Sequence, residues 1–331
     1  MEFTNIMKKL NGFVSPSANE KELLCCVKDM ISAYIPEEDI TFDTLGNLIA
    51  VMGKGCGKKV MFSAHADTIG VIAHNIDEKG FVKVSALGGL NPKTLSGRHI
   101  RFTNGINGLM NFEEGILEIG KAYIDIGAKS KEEAMEYVRL GDSVWFESAF
   151  VEFGDGFIKA KALDDRAGCA ILIEMIKGEL EYDMWFSFSV QEEIGTRGAQ
   201  TAAFTIAPDY AIAVETTTAA DISGVKDEKR VCICGKGGTV SFMDRSTLYS
   251  KELFDKAFEI AERENIPCQP KTVVAGGNDS GVIHKSRGGV KVLTVSIPCR
   301  YLHSPSCVIK YNDAKESLRL IKALAEDFAE C

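Results

Sequence analysis

The sequence lacks any long hydrophobic run: no segment approaches the roughly 20 apolar residues of a membrane-spanning helix. Its opening, MEFTNIMKKLNGF, holds neither the apolar stretch nor the cleavage site of a secretory leader. Positive charge is scarce as well. Lys and Arg number 38 against 47 Asp and Glu, for a net charge of −9, so no basic nucleic-acid-binding face is expected. The ten cysteines contain no Cys-x-x-Cys pair. They read as reduced thiols of a soluble, cytoplasmic protein that binds neither nucleic acid nor membrane. GKGCGKK at 53–59 lacks Walker A spacing and has no Ser or Thr after its lysines, so a turn is expected at 53–57 rather than a phosphate loop. Internal repeats and low-complexity linkers are absent.

What is present is enough for a large core: 331 residues, 45% hydrophobic and 26% charged. Leu23, Leu24, Val27, Met30, Ile31 and Tyr34 have the spacing of an amphipathic helix. ITFDTLGNLIAVM and KKVMFSAH read as strands. From Val71 to Ile158 the texture changes to short strands (VIAHNI, FVKVSAL, HIRFT, GILEIG, SVWFESAF) separated by turns, as in a small all-β module. A short helix interrupts it, with Ser130 as cap and Glu133 in the capping-box position. Beyond Lys161 apolar strands again alternate with helices, ending in a helix with Leu318, Ile321, Ala325 and Phe328 on one face. The expected fold is α/β, with a largely parallel sheet covered by helices. Residues 1–70 and 159–331 would form one discontinuous domain, and 71–158 a β-rich insertion.

The chemistry-bearing residues gather at strand ends. MFSAHADTIG supplies His65 and Asp67, FSFSVQEE supplies Glu192 and Glu193, AIAVETT supplies Glu215, and IPCRYLHSPS supplies His303. Asp164 and Asp165 open a helix in KALDDRAG. Sites in parallel α/β sheets form at the carboxyl ends of strands, so these motifs should converge. Singly, each is more often an ordinary polar residue; together they form a mixed nitrogen and oxygen ligand set suited to Zn, Co or Mn. The remaining histidines, His74, His99 and His284, lack a carboxylate pattern and read as structural or surface residues.

The ordered motifs HADTIG, KALDDRAG, QEEIGTRGA, VET, GGNDSGVIHKSRGG and SIPCRYLHSP resemble the TET-type, glutamyl-aminopeptidase-like family of dinuclear metallo-aminopeptidases. Some of its members carry the name endoglucanase. The resemblance extends through the insertion, in GFVKVSALGGLNPKTLSGRHIRF and AYIDIGAKSKEEA. It implies a zinc-peptidase-like catalytic domain acting on short peptides with two divalent ions, Zn or Co, with Mn as a further candidate. His65 would bind one ion, Asp164 would bridge both, Glu193 and His303 would bind the second, and Glu215 would complete the first. Glu192 would be the general base, and Asp67 would orient His65. The insertion would be a dimerisation domain, giving homo-oligomers from a dimer to a tetrahedral dodecamer. Two positions depart from the usual pattern: Glu215 replaces an Asp, and Thr68 replaces a Glu. The Glu215 departure motivates a competing reading as a metal-dependent deacylase or amidohydrolase. A glycosidase, and a non-catalytic metal-binding assembly protein, rank below both.

Overall fold

The computed structural model describes residues 3–53, 57–178 and 182–330. The turn expected at 53–57 falls largely on 54–56, outside the described residues. No helix among the described residues is long and apolar enough to cross a membrane.

An eleven-stranded sheet carries the fold, and its centre is parallel. Strands Met184–Ser189, Val60–His65, Tyr210–Thr218 and Lys291–Arg300 lie side by side in that order. Val60–His65 is buried at every position, which requires cover on both faces. Alternate residues serve the two sides: Phe62 joins the main core while Met61 packs with the helices Arg197–Ile206 and Ser280–Ile283 opposite. Register fixes what emerges at the top. Ser189 pairs with His65, and Ala213 pairs with Ser63, so Glu215 comes level with His65. Antiparallel strands flank this centre, Leu48–Met52 and Ile40–Phe42 on one side, Cys307–Lys310 on the other.

The helix Leu163–Ile176 is buried almost all round because it is sandwiched between the sheet and the helices Phe3–Leu10, Lys21–Ile31 and Tyr311–Glu330. That burial matches its run of Ala, Ile, Leu and Met, which has no polar face. Phe3, Ile6, Met7 and Leu10 give the first helix its buried stripe, a helix the strand-and-turn reading of the sequence passed over. The second helix buries Leu23, Leu24, Val27 and Ile31 as expected, but it stops at Ile31, leaving Tyr34 beyond its end and 46% exposed.

The insertion is a closed barrel of six antiparallel strands between Gly70 and Phe146, with its own core around Val84, Ile100, Phe102, Met110 and Ile124. The Ser130 hydroxyl caps its short helix by accepting from the Glu133 amide at 3.3 Å. Two details differ from the sequence reading. GILEIG is not a strand; the barrel instead uses Asn107–Phe112 and Ala122–Asp125. Val151–Phe153 and Phe157–Ala160 pair into the large sheet through Cys307–Lys310, although local texture grouped residues up to 158 with the insertion. Pairing partners more than a hundred residues away decide which sheet a short strand joins.

Candidate active site

His65, at the end of its strand, is 1% exposed and stands at the centre of a carboxylate cluster. Its Nε2 lies 3.4 Å from Asp164 Oδ1, 3.7 Å from Glu215 Oε2 and 3.9 Å from Glu192 Oε2. The second Asp164 oxygen lies 3.3 Å from His303 Nε2, which is 3.5 Å from Glu193 Oε2. Asp164 thus offers one oxygen to each histidine. The Thr216 hydroxyl donates to its Oδ1 at 2.8 Å and fixes that orientation. All seven residues to which the resemblance gave a role meet here. Ligand atoms of His65, Asp164 and Glu193 lie within 4.8 Å of one another, as do those of His65, Asp165 and Glu215.

Asp67 organises this end of the sheet. On the far side of His65, Nδ1 faces the Asp67 carbonyl at 3.1 Å and its carboxylate at 3.4 Å. An Nδ1–H directed there leaves the Nε2 lone pair facing the cluster. The same carboxylate accepts from the backbone amides of Glu192 at 2.9 Å and Glu193 at 3.2 Å, and from the Ser17 hydroxyl at 2.6 Å. The glutamate pair does not sit on a strand, as the apolar alternation before it suggested. The strand ends at Ser189, Gln191 adopts φ 56°, and the pair rides a turn that Asp67 pins by both amides. The two side chains diverge because of that turn, Glu192 toward His65 and Glu193 toward His303.

A cavity of about 300 Å³ opens over the cluster, lined also by Thr216, Thr217, Lys271 and the 275–278 loop. The barrel reaches this cavity as well. A Cβ on Gly89 would stand 3.0 Å from His303 Nδ1, and one on Gly88 3.0 Å from Glu193 Oε2, so a side chain at either position would crowd these two residues.

Residues 46–320 match the family described as M42 glutamyl aminopeptidase. The chain belongs to that family. It is 41% identical, over 96% of both chains, to a candidate aminopeptidase of Acetivibrio thermocellus. It is 33% identical to the lysyl aminopeptidase of Pyrococcus furiosus, covering 97% of this chain and 96% of the relative. Among solved structures it superimposes on the TET1 peptidase of Pyrococcus horikoshii with a TM-score of 0.86, at 31% identity, covering 98% and 99% of the two chains. The chain is therefore a peptidase of the aminopeptidase type, from a metal-dependent family.

The M42 chain's own residues suit divalent ions. Five carboxylates and two imidazoles form a donor set of the right chemistry. Glu215 Oε1 and Asp165 Oδ2 are buried without hydrogen-bond partners. Burial, more than the neighbouring acids, drives the Glu192 and Glu215 carboxyls well above their ordinary range and Glu193 up to about 7. For the histidines burial opposes protonation, but the surrounding carboxylates outweigh it and raise His65 well above its usual value and His303 to about 10. Such a cluster is stable when protonated or when cations neutralise it.

A pH prediction follows. A carboxyl with a raised folded pKa stabilises the fold below its unfolded value, 4.5 for Glu, and that contribution disappears as pH rises through the folded value, about 7 for Glu193. The raised histidines act in the same direction and at higher pH: their contribution is full below 6.5 and lost, for His303, through about 10. The metal-free chain is expected to lose thermal stability steadily as pH climbs past 5, and Zn²⁺ is expected to restore it at pH 8. Melting curves in chelator, with and without added metal, measure this; a metal-free melting temperature that rises between pH 5 and 8 would contradict it.

Two buried acids were given no role in the sequence reading. Asp165 adjoins Asp164 in KALDDRAG, and its place beside a candidate ligand was the signal that could have found it. Asp279, in the glycine-rich GGNDSG segment, lies beneath the cluster and accepts from Ser63 and Ser189 hydroxyls at 2.7 Å each. Its charge bears on Glu192 and Glu215, a relation that no local pattern displays.

Proposed function

We propose that the chain is a dinuclear metal-dependent aminopeptidase that removes N-terminal residues from short peptides. The observation that carries this is the single Asp164 carboxylate reaching both His65 and His303, each with its own further carboxylates. In this reading His65, Asp164 and Glu215 hold one ion, and Asp164, Glu193 and His303 hold the other. Zn or Co fit the donor set best, with Mn next. Bound there, the ions would polarise the scissile carbonyl and acidify the attacking water. Glu192 takes a proton from that water and returns one to the leaving amine as the C–N bond breaks. Burial raises its carboxyl above the ordinary carboxylate range, which makes it a stronger proton acceptor than an exposed glutamate. Asp67 is a positioning residue: it orients His65 and holds the turn bearing Glu192. The acidic cluster also suits a free substrate α-ammonium.

Metal-reconstituted enzyme is expected to cleave free aminoacyl-p-nitroanilides, to lose that activity in chelator, and to reject N-acetylated substrates. Preference for the acetylated series would instead identify the deacylase that Glu215 raised as a competitor.

The proposal includes the inserted barrel as a dimerisation unit of a homo-oligomer, from a dimer to a tetrahedral dodecamer, in the cytoplasm. The TET1 peptidase of Pyrococcus horikoshii can assemble into a tetrahedron or a large octahedral shell. On this chain the insertion exposes Leu109, Leu117, Met135 and Leu140, apolar residues that a partner copy would cover. Light scattering is expected to give a multiple of 36.1 kDa, and Leu109→Glu with Leu140→Glu to lower it. A monomeric wild type would remove the assembly part of the reading.

A further inference from the structure

Four consecutive backbone amides at the glutamate pair are held by side chains. Val190 donates to Asn47 Oδ1 at 2.9 Å, Gln191 to Glu20 Oε1 at 3.1 Å, and Glu192 and Glu193 to the Asp67 carboxylate. Glu20 stands at the N-cap of the helix Lys21–Ile31, where a short polar side chain ordinarily accepts from its own helix. Its carboxylate makes no such bond. Oε1 instead accepts from the amides of Ala18, at 2.8 Å, and Gln191. Both donors are non-glycine residues in the left-handed region, Ala18 at φ 72° and Gln191 at φ 56°. Such backbone persists where surrounding contacts over-determine it. One oxygen thus ties a bend in the N-terminal arm to the bend that leads into Glu192. The arm itself is fixed. The Thr68 amide donates to the Ser15 carbonyl at 3.1 Å, the Ser17 hydroxyl to Asp67 at 2.6 Å, and Asn19 to the Ser143 hydroxyl of the barrel at 3.2 Å. Glu20 is 4% exposed and lies outside the lining of the reaction cavity. Burial, reinforced by the Asp67 charge, pushes its carboxyl up to about 7. A carboxyl keeps an acceptor oxygen in either protonation state, so the hold on Gln191 does not require the charge.

We propose that Glu20 is a positioning residue for the reaction: by accepting the Gln191 amide it sets the left-handed bend that aims Glu192 at the attacking water. This rests on the reading of Glu192 as the base. The strand ends at Ser189, so Gln191 is where the chain turns out of line before Asp67 receives the next two amides. With the Gln191 bond lost, Asn47 and Asp67 still hold either end of the run. The turn then survives while the bend between those anchors relaxes. Glu192 follows that bend directly, and a displacement of about 1 Å is enough to cost about 10²-fold in rate. His65, Asp164, Glu215 and His303 sit on other segments and keep their places.

The test uses metal-loaded full-length enzyme on an aminoacyl-p-nitroanilide, with metal content and melting temperature measured on each preparation. Glu20→Ala is expected to lower kcat by roughly 10–100-fold, with KM within about 3-fold of wild type and metal content unchanged. Glu20→Gln keeps an acceptor oxygen at the same reach and should recover kcat to within about 3-fold of wild type. Glu20→Asp keeps the charge but shortens the reach by one methylene, so it should resemble Glu20→Ala. Wild-type kcat in Glu20→Ala overturns the proposal. So does a loss in Glu20→Gln as large as in Glu20→Ala, which would make the charge, and not the amide bond, the contribution. If Glu20→Ala folds poorly, the contrast between Asp and Gln decides. A double variant separates positioning from general support of the fold. Added to Glu192→Gln, Glu20→Ala should change the residual rate by less than about 3-fold, because its effect passes through Glu192. A further fall as large as in wild type overturns the proposal. Should Glu192→Gln by itself stay within tenfold of wild type, the reading of the base fails separately. Hydrogen exchange of peptides spanning residues 189–194 then tests the hold on the turn alone. Faster exchange in Glu20→Ala and Glu20→Asp but not in Glu20→Gln supports it, and equal exchange in all three overturns it.

Discussion

Glu192→Gln is expected to lower kcat on aminoacyl-p-nitroanilides by roughly 10²–10⁴-fold while leaving metal content unchanged. The substitution keeps the shape of the side chain and removes its capacity to accept a proton. Glu192 stands 3.9 Å from His65 Nε2, a longer approach than either Asp164 or Glu215 makes to the same atom. In the proposed reading it faces the attacking water, while Asp164 and Glu215 hold the ion beside His65. Its turn is held through its backbone amide, which Asp67 accepts at 2.9 Å, so the amide variant should fold and bind metal normally. Metal analysis and turnover on the same preparation decide the matter. Activity within tenfold of wild type would assign the base elsewhere; lost metal would make Glu192 a ligand.

Asp164→Asn should have the second large effect, and it should appear first in metal content. The carboxylate places Oδ1 3.4 Å from His65 and Oδ2 3.3 Å from His303, so among the described residues it is the only carboxylate within 4.0 Å of both histidines. An amide offers one oxygen and turns two N–H donors toward the other imidazole. Losing even an outer-shell partner costs about 10–100-fold in metal affinity, and loss of the shared ligand should exceed that. Mass-spectrometric metal analysis after gel filtration should find the Asn variant short of full occupancy, with turnover reduced in parallel. Full occupancy with two ions would show that Asp164 is not shared between them. Glu193→Gln, at a carboxylate whose approach within 4.0 Å is to His303 and not to His65, should cost less.

These two outcomes differ because of a feature that the sequence showed only in part. The Glu192–Glu193 pair was visible as adjacent acids at the end of an apolar strand. The divergence of the two side chains comes from a turn beyond Ser189, held by Asp67, which lies 125 positions away just past the strand Val60–His65. Local periodicity cannot contain that hydrogen bond. Glu20 illustrates the same limit. In the sequence it is one acid at the start of an amphipathic helix; folding buries it and brings its carboxylate to the Gln191 amide, 171 positions away.

By itself the sequence determined the class of the fold, the identity of the acidic and histidine motifs, and the presence of a β-rich insertion. Each is written in composition and short-range periodicity, because apolar strands and amphipathic helices must bury their apolar faces wherever they end up. Tertiary structure alone decided the rest. Parallel register levelled His65 with Glu215, and pairing with Cys307–Lys310 drew residues 151–160 out of the insertion's texture into the large sheet. Close approach put Gly88 and Gly89 of the barrel against Glu193 and His303. The physical reason is common to all three. Register, sheet membership and burial of charge are relations between residues tens to hundreds of positions apart, and their free energies exist only once the chain has brought those residues together.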